Sequence, residues 1–208
     1  MPTTIDLPEV LKRVVRLSWT MESNHGLAES VFTGTAQAQR GQLERWSFTM
    51  EFRKMNRAEA QSAVAFFMRL EGQLNRFRMA DPAALKPLGK GTGNPVVSAA
   101  TPAGSRTLTT TGWLPNVPGQ LREGDWVQIG DQLSRVREDV DSDATGAATL
   151  DLWPKLMLAV PDGTPIVLRP AKGIFRFTSD APSFDLTAAD TNKPFSFRMS
   201  GVQEVLIP

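Results

Sequence analysis

The sequence predicts a mainly β fold of the β-rich α+β class: a sandwich-like host domain with one packed α-helix, interrupted by an inserted small antiparallel β-barrel. Three observations predict it. Bulky apolar residues alternate with polar ones near both ends of the chain, one stretch has helical spacing with a cap at each end, and the middle consists of short strands between turn residues.

The elements follow in chain order. In "VRLSWTME", Val15, Leu17, Trp19 and Met21 fall on one face and Arg16, Ser18, Thr20 and Glu22 on the other. "RWSFTMEFR" sets Trp46, Phe48, Met50 and Phe52 against Ser47, Thr49, Glu51 and Arg53 in the same way. Such alternation marks a sheet with one buried side. "NRAEAQSAVAFFMRLEG" reads as the helix, with Asn56 as N-cap, Glu59 completing a capping box and Gly72 as a left-handed C-terminal cap. Ala60, Ala63, Val64, Phe66, Phe67 and Leu70 form its apolar stripe. "NRFRMADP" then places Phe77 and Met79 together on a strand that Pro82 ends.

Residues 86–95, "KPLGKGTGNP", are rich in glycine and proline and read as a flexible connection. Short strands follow up to about Pro170: "PVVSA", "RTLTTTGW", "DWVQIG", "LSRVREDV", "AATLDLW" and "PIVLRP". Strands at this density predict a small antiparallel barrel or sandwich of roughly five to six strands, and the barrel is the form expected here. In its hairpin, Val127 and Ile129 share one face, Trp126 takes the other, and residues 130–132 make the turn. Bulky alternation returns in "GIFRFTS" and "KPFSFRMSGVQEVLIP". The predicted organisation is therefore a host domain of residues 1–95 and 171–208, with residues 96–170 inserted as the barrel.

Composition removes most chemistry. Lys and Arg number 23 against 22 Asp and Glu, with the signs interleaved, so the basic stripe of a nucleic-acid binder is missing. With no cysteine, thiol catalysis, disulfides and cysteine-ligated metals are excluded, and one histidine, His25, excludes histidine-rich metal sites. No apolar run approaches the roughly 20 residues of a membrane-spanning helix, and the N-terminus lacks the pattern of a signal peptide.

The remaining candidates are weak. Asp139, Asp141 and Asp143 match the first ligand positions of a calcium loop, but Ala144 stands where glycine is needed and Leu150 where a bidentate glutamate is needed, so a hairpin turn is expected. "GKGTGN" lacks the Ser or Thr and the helix of a phosphate loop. Ser18, Glu22 and His25 form no recognisable hydrolytic set. No catalytic residue, cofactor or metal is expected. Trp113, Trp126 and Trp153 are candidates for stacking on a glycan or nucleic-acid base, or for packing in a core or interface.

The string "RWSFTMEFRKMNRAEAQSAVAFFMRLEGQLNRFRMADP", followed by "GDWVQIG", "RVREDVDSDATGAATLDLWP" and "PDGTPIVLRPAKGIFRF", resembles the distal tail proteins of long-tailed bacteriophages and prophages. The resemblance spans most of residues 14–205. It implies a non-enzymatic virion protein, assembled in the bacterial cytoplasm, whose tail-tube-like host domain closes into a ring of six copies at the tail tip. The implied partners are other copies of itself, the tail tube protein, and the tail-tip hub and fibre proteins, with phage DNA passing through the lumen unbound. Arg40, Arg45, Glu44 and Glu51 are the charged candidates for pairing at such interfaces, alongside the three tryptophans. Nothing follows the returning strand where some relatives of this kind carry a carbohydrate-binding domain, so an adaptor role is expected rather than direct receptor binding. A glycan- or nucleic-acid-binding module, and a tail protein at another level of the same tail, are the alternatives.

Overall fold

The computed structural model describes residues 3–39, 41–179 and 195–204, and the backbone of 184–186. Among these residues the protein is mainly β, with one α-helix and a nearly closed six-stranded, barrel-like sheet.

The larger sheet draws on both ends of the chain. Its strands are β1 (Thr4–Asp6), β2 (Val14–Ser23), β5 (Glu44–Phe52), β6 (Arg76–Ala80), β13 (Lys172–Phe177), β14 (Phe184–Leu186) and β15 (Phe195–Gln203). They run in the order β1-β6-β13-β15-β5-β2, with β14 also on β15. β1 pairs parallel with β6, and the other pairs are antiparallel. Trp46, Phe48, Met50 and Phe52 on β5 are all buried, as their alternation predicts.

β2 departs from its pattern. A bulge between Val14 and Arg16 adds a residue opposite β5, and an inserted residue reverses the facing of its neighbours. Val14 therefore packs against the core, while Val15 is exposed, as is Met21 near the far end of this edge strand.

The helix α1 (Arg57–Leu70) covers the buried face. Its capping box is complete: Asn56 Oδ1 accepts the Glu59 N–H at 2.9 Å, and Glu59 Oε2 accepts the Asn56 N–H at 3.0 Å. The left-handed C-terminal cap falls on Glu71, and Gly72 is left-handed too. Ala60, Ala63, Phe66, Phe67 and Leu70 are buried, with the Phe66 ring edge-on to Phe77 and Phe67 against Phe177 and Phe197. Gly201 lets this layer close, because a Cβ there would lie 2.7 Å from Cε1 of Phe48, its direct cross-strand neighbour.

The second sheet comprises β7 (Val96–Val97), β8 (Thr107–Thr111), β9 (Trp126–Ile129), β10 (Gln132–Val136), β11 (Ala148–Trp153) and β12 (Ile166–Val167). They run in the order β12-β9-β10-β11-β8-β7. The edges meet: the Val97 N–H donates to Thr164 O and the Ile166 N–H to Pro95 O, both at 2.9 Å. Leu108, Leu121, Val127, Leu150, Leu152 and Ile166 are among the side chains that fill the interior.

The glycine-rich segment 86–95 is not the flexible connection its composition suggests. Asp125 accepts the N–H groups of Leu88 at 2.7 Å and Gly89 at 2.9 Å, and Gln120 Oε1 accepts both the N–H and the hydroxyl of Thr92. The polar side chains that hold it lie about thirty residues downstream, beyond any local reading.

Candidate functional site

β9, β10 and β11 are apolar on both faces because each face meets a core. Val127, Ile129 and Val136 point into the barrel, while Trp126, Leu133 and Trp153 turn to the core of the larger sheet. Cross-strand register sets Arg135 between Trp126 and Trp153. This ladder presses on two tryptophans of the larger sheet: Trp46 lies 4.9 Å from Trp126 and 4.4 Å from Trp153 between ring centroids, and Trp19 lies 5.2 Å from Trp126.

Charge at this junction is compensated. The Arg135 guanidinium sits 4.1 Å over the Trp126 ring and 5.6 Å from that of Trp46, a cation–π arrangement. Asp81, buried, accepts from Nε1 of Trp19 at 3.1 Å and of Trp126 at 3.0 Å, and lies 3.7 Å from Arg135. Burial lowers the Arg135 pKa, and the charges of Asp81 and Asp125 oppose that; a guanidinium remains protonated regardless. Further polar ties flank the tryptophans: Glu44 pairs with Arg106 and accepts the Lys155 N–H, the Lys172 N–H donates to Gln128, and Arg78 pairs with Asp131. The barrel is thus clamped to the larger sheet rather than tethered to it.

Gly173 on β13 marks a close approach between the two sheets. A Cβ there would stand 2.6 Å from Cβ of Leu133, an atom that cannot swing aside. Gly173→Ala is expected to cost about 1–3 kcal/mol, measured by urea denaturation.

Of the predicted interface residues, Trp113 and Trp126 turn inward. Trp113 is buried in the barrel, donating from Nε1 to the Thr110 hydroxyl at 2.8 Å, and Trp126 is buried at the junction. Neither offers a ring to an external partner, because each completes a core of this chain. Trp153 is half-buried against Trp46. Arg45 pairs with Glu22 across β2 and β5 at 2.7 Å, and Glu51 pairs with Arg198 across β5 and β15. Their charges are therefore taken up within the sheet. Burial raises the Glu22 pKa, but hydrogen bonds from Arg45 and Ser47 and the charge of Arg45 outweigh it and hold the group below its ordinary value. Arg40 lies outside the described residues.

The aspartates of the calcium-like segment go separate ways. Asp139 accepts from the Glu123 N–H and Arg122, Asp141 from the Gly119 N–H, and Asp143 from Thr145 and Ala147. Among the described residues no group of three or more His, Cys, Asp or Glu is placed to hold a metal. The Glu123 N–H first, then Arg122, holds the Asp139 carboxyl below the usual range, and the Thr145 hydroxyl and the Ala147 N–H do so for Asp143. Depressed folded-state values add stability that is complete above the unfolded value of about 3.9 and disappears as pH falls through the folded values. Asp143→Ala is expected to flatten the loss of stability below about pH 4, read from urea titrations between neutral and acidic pH.

The feature that sequence reasoning misses is an arm. β3 (Gly26–Glu29) and β4 (Ala36–Gln39) pair as a two-stranded hairpin, and all eight strand residues are exposed. At its tip Val31 is 96% and Phe32 98% exposed, with Leu27 also exposed along the shaft. Turn bonds from Gly34 N–H to Ser30 O and from Ser30 N–H to Thr35 O, both 2.9 Å, fix the tip. Asn24 and His25 secure the base: Asn24 Oδ1 accepts the Leu43 N–H at 2.8 Å, and His25 Nδ1 accepts the Gly41 N–H at 3.1 Å. That is the position of the single histidine, while Glu22 is engaged by Arg45. The only local signal of the arm is Gly34 after an apolar pair in "SVFTGT".

No protein-family model matches the chain, and a search of curated proteins returns no match. No helix among the described residues is long and apolar enough to cross a membrane.

Proposed function

We propose that this chain is a structural component of a bacteriophage tail, forming a ring of six copies at the distal end that joins the tail tube to the tail-tip hub or fibres. The observation that carries the reading is the arm. A lone two-stranded hairpin is marginal in water, and one that exposes a valine and a phenylalanine side by side at its tip is made to pack on something outside its own fold.

In this reading the larger sheet with its helix is the tail-tube-like, sandwich-type ring unit. The clamped barrel is its outward projection, held rigidly enough to position peripheral tail proteins. Near-neutral, interleaved charge suits protein neighbours and a lumen that lets DNA pass. The work is geometric, so neither catalysis nor a cofactor is required, and the place of action is the virion. A binding module that stacks glycans or bases ranks second, because Trp113 and Trp126, on which it draws, are engaged inside the chain.

Light scattering and electron microscopy of the purified protein are expected to give rings of about six times 22.8 kDa. A chain that stays monomeric and never enters virions refutes the proposal.

A further inference from the structure

A cavity of about 900 Å³ opens at the other end of the larger sheet, between β1 with the short 3-10 turn Glu9–Lys12 and the segment from Arg78 to Leu85. Leu7, Leu11, Met50 and Met79, all buried, belong to its lining, with Ile5 and Leu85 also contributing apolar surface. Its volume is in the range that holds a sizeable apolar ligand.

Three facts relate this cavity to the arm. First, they lie at opposite ends of one strand: Val14, the first residue of β2, lines the cavity, and the arm begins just past Ser23, the last. Ten extended residues separate them by about 30 Å. Second, every strand residue of the arm is exposed, so the arm does not fold back over its own sheet. Third, the charges match. Glu29 is the one charged residue between Gly26 and Gln39, and it has no ion-pair partner among the described residues. On the cavity rim Lys12 pairs with Glu9, Arg78 with Asp131 and Lys172 with Asp6, which leaves Arg69 without an ion-pair partner among the described residues.

We infer that the arm of one copy seats Val31 and Phe32 in this cavity of the next copy, with Glu29 facing Arg69. A knob and a socket at different places on one chain make a head-to-tail contact, which closes into a ring when the rotation allows and otherwise continues as a filament. The inference rests on the reading of the chain as a self-assembling ring and names the surfaces that would make the ring.

The lack of cysteine makes the test clean, since any disulfide joins introduced thiols only. Phe32→Cys and Leu85→Cys both alter exposed side chains and spare the core. Mixing the two single variants under oxidising conditions is expected to give far more covalent dimer than either alone. It is also expected to exceed Phe32→Cys mixed with Met68→Cys, which marks a second apolar groove beside α1. Glu29→Arg should reduce the yield, and combining it with Arg69→Glu should restore it. Phe32→Ser is expected to weaken self-association roughly tenfold or more, as for an anchor residue. Crosslinking to Met68→Cys instead, or equal yields in all mixtures, overturns the socket. Rings that form unchanged with Phe32→Ser remove the arm while leaving the ring reading standing. A Phe32–Leu85 crosslink in a protein that never enters virions supports the socket and removes the tail assignment.

Discussion

Trp126→Ala is expected to destabilise the whole chain by about 3–5 kcal/mol, the range for truncating a large buried aromatic. Trp126 is 3% exposed and touches Trp19, Trp46 and Arg135 at once. Truncation removes those contacts, leaves Asp81 without one of its two indole donors and uncovers one face of the Arg135 guanidinium. In thermal unfolding this corresponds to a drop of roughly 9–15 °C for a chain of this length. A surface tryptophan kept for stacking on a ligand behaves differently: its loss abolishes binding and leaves the melting temperature nearly unchanged. A shift under about 2 °C contradicts the junction described here.

Asp81→Ala is the second large effect, expected at about 3 kcal/mol. Removing one member of a buried charged pair typically costs about 3–5 kcal/mol because the other charge stays behind. The low end applies because the Arg135 side chain keeps 36% exposure and some water. The two indole N–H groups that point at Asp81 lose their acceptor as well. Asp81→Asn keeps an acceptor oxygen and is expected to recover the larger part of the loss. Pairing Asp81→Ala with Arg135→Leu should cost less than the sum of the two, since the stranded charge is gone. Simple additivity in that double-mutant cycle contradicts a coupled cluster.

The pattern of these contacts explains which parts of the molecule were legible in the sequence. Alternation in β5 and β6 was readable because one face of each meets a single core, and the helix was readable because both of its ends carry caps in the sequence itself. β2 was half readable: the bulge at Val15 breaks the period without leaving a local mark. The placement of Trp126 is open in the sequence, since alternation says only that it faces away from Val127, and what lies on that side is contributed by Trp19 and Trp46, which stand 107 and 80 residues earlier in the chain.

The anchored loop and the arm were hidden for opposite reasons. Residues 86–95 have the composition of a flexible linker and are held by Asp125 and Gln120, so their order comes from partners elsewhere in the chain. The arm has no buried face in its own chain, and therefore none of the two-sided pattern from which a strand is read. Of the residues the sequence suggests for an interface, Arg45 and Trp113 are engaged internally, while Val31 and Phe32 stand exposed with no sequence motif to mark them.

The proposed role in a phage tail is tested most directly by a low-resolution map of the intact tail. The expected result is a ring of six copies of this chain at the distal end of the tail tube, with the barrels projecting outward and each arm reaching the neighbouring copy. Density for this chain repeated along the length of the tube, or its absence from the tail, contradicts it.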